Sequence, residues 1–242
     1  MDFATHIPMM QIMTVTPPQF RPVLVEGPVE LRPLGDKDFA AWADLRERSR
    51  AHLTRWEDNW SEAGLSERLY RQRRLGFERE ARRGRAIAWH IFADHGKLVG
   101  GATLTNIRYG AARTATLGYW IGVDSTRRGY ASAAVRAVSA HAFGAIRLNR
   151  IEAACQIDNV ASIGVLERCG FSLEGVGRDY LTINGVLQDH KLFSLVTADH
   201  GIASNQRVMG DLGGRDCRAA QNGSELLPSN APGSSPVSSF SE

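Results

Sequence analysis

The stretch Asp124–Ser132, "DSTRRGYAS", decides how this 242-residue chain is read. It stands between "ATLGYWIGV" and "AAVRAVSAHAF". The first reads as a strand and the second as a helix of small residues, so the stretch is a strand-to-helix joint. A chain turning there directs several backbone N–H groups one way. Gly129 lets a ligand approach the main chain with no side chain in between. The helix that opens beyond it adds unsatisfied N–H donors and the positive end of a dipole, a pairing suited to phosphate or diphosphate. Arg127 and Arg128 add charge, and Ala131, Ser132, Ala133 and Ala134 keep the first turn slim. The motif is neither a Walker-type phosphate loop nor G-x-G-x-x-G, which argues against a nucleoside triphosphatase and a dinucleotide fold. The other reading of the joint is a basic turn ahead of a well-packed helix.

Around the joint the pattern is regular. "PVELRPL" (28–34) should open a sheet, and "GDKDFAAWADLRERS" (35–49) should form a helix with Asp36 as its N-cap and Phe39, Trp42 and Leu45 on one face. A second helix spans about 66–83, headed by Ser66, with Leu69, Leu75 and Phe77 inward. "AIAWHIFA" and "KLVGGATLTNI" are strands joined at "DHGK", and "TATLGYWIGV" is a third. The helix "GYASAAVRAVSAHAFGA" follows, then strand "NRIEAACQI", helix "NVASIGVLERCG", and two strands joined by Asn184-Gly185, a strong hairpin signal. The order β-α-α-β-β-β-α-β-α-β-β predicts a mixed sheet in an α/β or α+β layered domain.

Bulk properties bound the rest. Hydrophobic residues make up 43% and charged residues 23%, as in globular proteins. No apolar run is long enough for a membrane span, and the N-terminus lacks the pattern of a signal peptide. Cys155, Cys169 and Cys217 have no CxxC spacing, so neither a disulfide framework nor structural zinc is expected. The histidines share no metal-ligand spacing, and no metal is expected. These features make the cytoplasm the default location. A net charge of +3 does not by itself imply nucleic acid. Composition divides the chain into a Pro-containing arm (1–26), one domain (27–199) and a Ser/Gly/Pro-rich tail (200–242) expected to be disordered.

Downstream, "RIEAACQIDNVASIGVLERCGFSLEG" sets Asp158-Asn159 at a strand-to-helix boundary, Ser162 one turn on, and Gly170 at a left-handed helix exit before Phe171. With the first joint, this resembles the GNAT superfamily of acetyl-CoA-dependent N-acetyltransferases, in its RimJ/RimL branch. "ELRPL", "AHLTRWE", "GYWIG", "RGYAS", "LERCGF" and "RDYLTINGVLQDH" carry the likeness over about 29–196, and the last looks more like RimJ than RimL. The resemblance implies a mixed, mostly antiparallel twisted sheet flanked by helices. It also implies acetyl-CoA as co-substrate and a protein N-terminal α-amine, such as that of a ribosomal protein, as acceptor. One cradle position departs from the family: its Gln/Arg slot falls on Thr126, and Arg127 would replace the lost contact.

Site residues follow from that resemblance. The pantetheine arm would pair with backbone at Ile121–Val123, and the diphosphate would sit on Arg128, Gly129, Tyr130, Ala131 and Ser132. Asn159 would bond the pantetheine, or cap its helix, or both. Ser162 would be the general acid near the CoA sulfur; its other reading is a solvated first-turn serine. Cys155 matches a cysteine of the branch, but its alternation with Ile151, Ala153 and Ile157 favours the core. The family's acidic slot two residues before "GYW" holds Thr116, so Glu152 ranks first as base, ahead of Asp179, Glu174 and Asp189; its alternative is a structural acid paired with an arginine. Trp56 and Trp60 would line the acceptor groove or plug the core, and Tyr180 would pack or touch substrate. The helix at 67–85 holds eight arginines against three glutamates. It reads as a solvated face or, through its charge, as a contact for nucleic acid. Monomer and homodimer stay open. The rival functions are acetylation of a small-molecule amine and a catalytically silent CoA-binding module.

Overall fold

The computed structural model describes residues 22–199. Its strands are β1 (Leu24–Glu26), β2 (Val29–Pro33), β3 (Ile87–Ala93), β4 (Lys97–Arg108), β5 (Thr114–Ile121), β6 (Arg150–Gln156), β7 (Ser172–Ile183) and β8 (Val186–Val196). Its helices are α1 (Phe39–Arg48), α2 (Arg50–Leu53), α3 (Glu67–Arg82), α4 (Tyr130–Gly144) and α5 (Val160–Arg168). The strands form one sheet in the order β1-β2-β3-β4-β5-β6-β8-β7, antiparallel except for β5 beside β6.

Helices cover both faces of the sheet. Along β3, Ile87, Trp89 and Ile91 join the larger core with α4, whereas Phe92 joins Trp42, Leu45 and Tyr70 beneath α1 and α3. That two-sided cover makes β3 buried throughout, and its sequence a continuous apolar run with no alternation. In β5 the same period of two sends Leu117, Tyr119 and Ile121 toward α4 and Trp120 toward α1.

Local signals hold where their partners are near in sequence. Ser66 Oγ accepts from the Leu69 N–H and starts α3. Gly170, at φ +85°, ends α5: Phe171 N–H reaches the Leu166 carbonyl, Gly170 N–H reaches that of Glu167, and Phe171 returns to the core. Asn184 and Gly185 both take positive φ in the β7–β8 turn.

Four expectations need correction. Residues 24–26, assigned to the N-terminal arm, form β1 and pair with β2 around the Gly27 turn, so the sheet begins before residue 27. The tail (200–242) and residues 1–21 lie outside the described residues. Asp36 is not an N-cap: a short 3-10 turn at Asp36–Asp38 precedes α1, the Asp38 carboxylate accepts from Gly35 N–H, and Asp36 pairs with Arg74 at 2.9 Å. Leu75 is exposed; Tyr70 and Ala81 are the buried residues of α3, and the Tyr70 hydroxyl donates to the Gly35 carbonyl at 2.6 Å. Ile157 lies one residue past β6 and is exposed, so the buried alternation stops at Cys155.

Candidate active site

The site begins where two neighbouring strands part. β5 and β6 pair only at Thr114–Thr116 against Arg150–Glu152. Beyond that, β5 follows β4 as far as Ile121, opposite Gly100, and β6 follows β8 as far as Gln156, opposite His190. The two half-sheets therefore diverge toward their C-terminal ends. Gly122 N–H bonds the Val99 carbonyl, so even-numbered residues of β5 turn their main-chain groups to β4. By alternation, Leu117, Tyr119 and Ile121 turn theirs into the gap, an edge onto which an extended ligand can pair.

The cradle stands at the open end of that gap. Gly122 packs so closely on α1 that a Cβ there would lie 2.4 Å from Leu45 Cδ1. The fully buried Ser49 accepts from the Val123 N–H at 3.1 Å, and the Val123 carbonyl accepts from the Thr126 hydroxyl. Val123 therefore has its backbone occupied, which removes it from the expected pairing edge and leaves Ile121. Gly129 takes φ +80° at the head of α4, and a Cβ built on it would meet nothing within 4 Å. The first intrahelical bond runs from Ala133 N–H to the Gly129 carbonyl, so the N–H groups of Tyr130, Ala131 and Ser132 precede the helical ladder and can face an anion.

The charges around the cradle are distributed unlike the sequence expectation. Arg128 pairs with Asp94 at 3.3 Å, and the same carboxylate accepts from the Tyr130 hydroxyl at 2.6 Å. The Arg128 guanidinium is thus engaged 34 residues away, and Tyr130 offers only its backbone. Asp124 is offset by Arg48 of α1. Arg127, at φ +58°, makes no ion pair among the described residues and is the cradle cation left for an anion.

Two hydroxyls meet in the gap. Asn159 Oδ1 caps α5 by accepting from Ser162 N–H at 3.1 Å, fixing the first turn. Ser162 Oγ lies 2.8 Å from the Tyr119 hydroxyl. Burial raises the pKa of Tyr119, keeping it a neutral donor. Cys155, 6% exposed and within hydrogen-bond reach of Ser162, has its thiol pKa raised by burial. The sequence reading missed the Tyr119–Ser162 contact; alternation along "GYW" sets the Tyr119 side chain on the α4 face of the sheet.

Across the opposite face runs the loop 54–60. Gln156 of β6 donates to the Arg55 carbonyl, and Asn184 of the β7–β8 turn bonds Thr54 O, Asp58 and the Asn59 N–H. Arg46 of α1 lies over the rings of both Trp60 and Trp120 of β5. The loop thus contacts β6 directly and β5 through Arg46, and so crosses the gap between them. Trp60 faces this stack, whereas Trp56 is part-buried beneath Arg55.

The chain is similar to known proteins. The family described as Acetyltransferase (GNAT) domain matches residues 29–172. The chain belongs to the GNAT acetyltransferase family. It is similar to the ribosomal protein uS5-alanine N-acetyltransferase of Escherichia coli, at 31% identity over 171 residues, 70% of this chain and 88% of that enzyme. A match to the N-acetyltransferase YjcK of Bacillus subtilis, 37% identical over 107 residues, covers 44% of this chain and only 59% of that protein. Among solved structures, Mycobacterium smegmatis RimJ in complex with CoA-disulfide aligns with a TM-score of 0.69 at 33% identity, covering 74% of this chain and 88% of that one. This GNAT chain is an acyltransferase of the N-acetyltransferase type.

Against the GNAT expectation, Glu152 stands apart from the hydroxyl pair. It faces Thr116 in the closed, paired end of the strands, and Arg150 Nε bonds its carboxylate at 2.9 Å. Arg150 also clamps Glu174, whose second partner is Ser194 and whose pKa is pulled down to about 2. That is the setting of a structural acid. Tyr180 is exposed beside His190, with ring centroids 5.7 Å apart, within the irregular stretch of β7 between Gly177 and Leu181. No helix among the described residues is long and apolar enough to cross a membrane. Along α3, Arg71, Arg74, Arg82, Arg83 and Arg85 are paired with acids. These five share four acids, Glu67, Glu78, Glu80 and Asp36, so the eight arginines of 67–85 keep a net positive charge.

Proposed function

We propose that this GNAT enzyme uses acetyl-CoA to acetylate the α-amine of a protein N-terminus, a ribosomal protein being the acceptor class, in the cytoplasm. The observation that carries the reading is the divergence of β5 and β6, with bare helix N–H groups at one end and the Ser162–Tyr119 hydroxyl pair inside. The similarity to the E. coli uS5-alanine enzyme and to RimJ supports the acceptor class.

The residues present fit acetyl-CoA: Gly129 leaves open space where a diphosphate would lie, and Tyr119 and Ile121 offer a pairing edge. The cofactor supplies a thioester open to direct attack by an amine. The N–H groups of Gly129–Ser132 and the Arg127 side chain hold phosphate charge. Ser162 Oγ would give a proton to the departing sulfur while the Tyr119 hydroxyl, 2.8 Å away, donates a hydrogen bond to the serine oxygen and stays neutral; the proton released from the amine, carried by water, restores the serine. The acceptor's α-amine has a pKa of about 8, so a fraction is neutral near pH 7 and water can take the proton released on attack. In this reading Glu152 orients Arg150 and is not the base.

The test is turnover with acetyl-CoA and peptides copying ribosomal-protein N-termini, read by mass spectrometry. One acetyl group on the α-amine is expected. Acetylation of small amines with no peptide product would replace the acceptor class, and CoA binding with no product from any amine would overturn the enzymatic reading.

A further inference from the structure

Beneath the loop that crosses the gap, two hydrogen-bond donors are buried without an acceptor among the described residues. They are Arg46 Nε and Trp60 Nε1. The Arg46 side chain is only 9% exposed, and its guanidinium carbon lies 3.9 Å from the Trp60 ring centroid and 5.1 Å from that of Trp120. Buried N–H groups are as a rule paired, and a native pair that is not asks for a missing partner. From this cluster we infer an acceptor-recognition site: Arg46 and Trp60 bind the carbonyl oxygen next to the amine that is acetylated. The inference rests on the acetyltransferase reading above and specifies what that site recognises.

Charge narrows the ligand. Arg46 Nη1 bonds the Glu57 carboxylate at 2.7 Å, so the Arg46 guanidinium already has its own counter-charge. A neutral carbonyl oxygen satisfies the two N–H groups without displacing that carboxylate. Glu57 keeps 38% of its side chain exposed. Its remaining lone pairs can accept from an ammonium or amide N–H beside that carbonyl. Donors and an acceptor side by side suit an α-aminoacyl group, which carries both; a simple alkylamine has only the nitrogen.

Position supports the same ligand. Trp120 follows Tyr119 directly in β5, so the stack and the Ser162–Tyr119 pair lie on opposite faces of the same strand end, beside the same gap. The stack is braced from several sides. Arg50 donates to the Trp60 carbonyl at 2.5 Å, and a Cβ at Gly101 would lie 2.5 Å from Trp120 Nε1, so only glycine there admits the indole. Such bracing keeps both N–H groups in place before any ligand arrives, the condition for discrimination by hydrogen bonding.

The experiment compares amines with and without the carbonyl, each KM being expressed on the concentration of neutral amine. The wild-type enzyme is assayed with alanine amide, isopropylamine, an alanyl peptide, and the same peptide with an alkene in place of its first amide. Loss of the carbonyl should raise KM by about tenfold or more, the worth of a hydrogen bond from a charged donor. Trp60→Phe keeps the ring and removes the N–H; it should narrow the preference for alanine amide over isopropylamine while the KM for acetyl-CoA stays put. A purely structural tryptophan would leave that preference intact, and this result overturns the proposal. Equal KM for the peptide and its alkene counterpart on the wild-type enzyme overturns it too, with no variant needed. If no peptide is acetylated but small amines are, the protein-acceptor reading fails separately, and the alanine amide comparison still tests the site.

Discussion

Gly129 separates the demands of the fold from those of the site. It sits at φ +80°, ψ −3°, a left-handed conformation that any other residue adopts at a cost of about 1–2 kcal/mol. A Cβ there meets nothing within 4 Å, so Gly129→Ala adds strain without a clash inside the protein. Its melting temperature should fall by roughly 2–8 °C, at about 2–4 °C per kcal/mol for a domain of this size. Gly129→Glu carries the same strain but sets a carboxylate at the head of α4, where the helix dipole returns about 0.3–1 kcal/mol. The Gly129→Glu variant should therefore melt no lower than Gly129→Ala. Binding should run the other way. With a diphosphate about 5 Å from the new charge and an effective dielectric constant of about 40–80, each phosphate charge adds ~1–2 kcal/mol of repulsion. For two charges the floor is ~1.7 kcal/mol, so CoA affinity should drop about fifteenfold or more, measured by calorimetry at fixed ionic strength. A Gly129→Glu variant that binds CoA within threefold of wild type would refute the assignment of the cradle.

Four other outcomes are expected. Tyr119→Phe removes the 2.8 Å contact to Ser162 and should lower kcat by more than it changes the KM for either substrate, measured by steady-state turnover. Asn159→Ala should destabilise the fold by about 1 kcal/mol in denaturant titration, because α5 loses its cap. Gly122→Ala forces a Cβ to within 2.4 Å of Leu45 Cδ1; it should cost about 1–3 kcal/mol and disturb the Ser49–Val123 bond, weakening CoA binding as well. Acid should remove the contribution of Glu174. Its folded pKa lies below the ordinary 4.5, so the stabilisation is present above that value and lost as pH falls toward 2. The pair is nearly half exposed and solvent-screened, so Glu174→Gln should flatten the acid limb of the stability curve only slightly.

Much of the fold was legible because its causes are local. The hairpin at Asn184-Gly185, the exit at Gly170-Phe171 and the Ser66 cap each depend on partners within five residues or on one positive φ, and each formed as read. β1 was missed because a three-residue strand has too little period to register, and its partners, β2 and α4, are supplied by the tertiary fold. Asp36 failed as a cap because two acids compete at that turn: Asp38 took the Gly35 N–H, and Arg74 on a distant helix took Asp36.

The sequence by itself determined the order of the longer elements, the strand-to-helix joint at Asp124–Ser132 and the Asn159–Ser162 turn, since these follow from backbone conformation and neighbours within a turn. Only the tertiary structure decided which of those groups remain free to act. Asp94 occupies Arg128 and Tyr130 from a hairpin more than thirty residues earlier, Ser49 occupies Val123, and Arg150 occupies Glu152. It also brought Tyr119 to Ser162 and Arg46 between two tryptophans. The physical reason is common to all of them: a side chain's availability depends on which opposite charge or hydroxyl the packing brings within about 3 Å, and strand register and helix docking, not sequence spacing, set that distance.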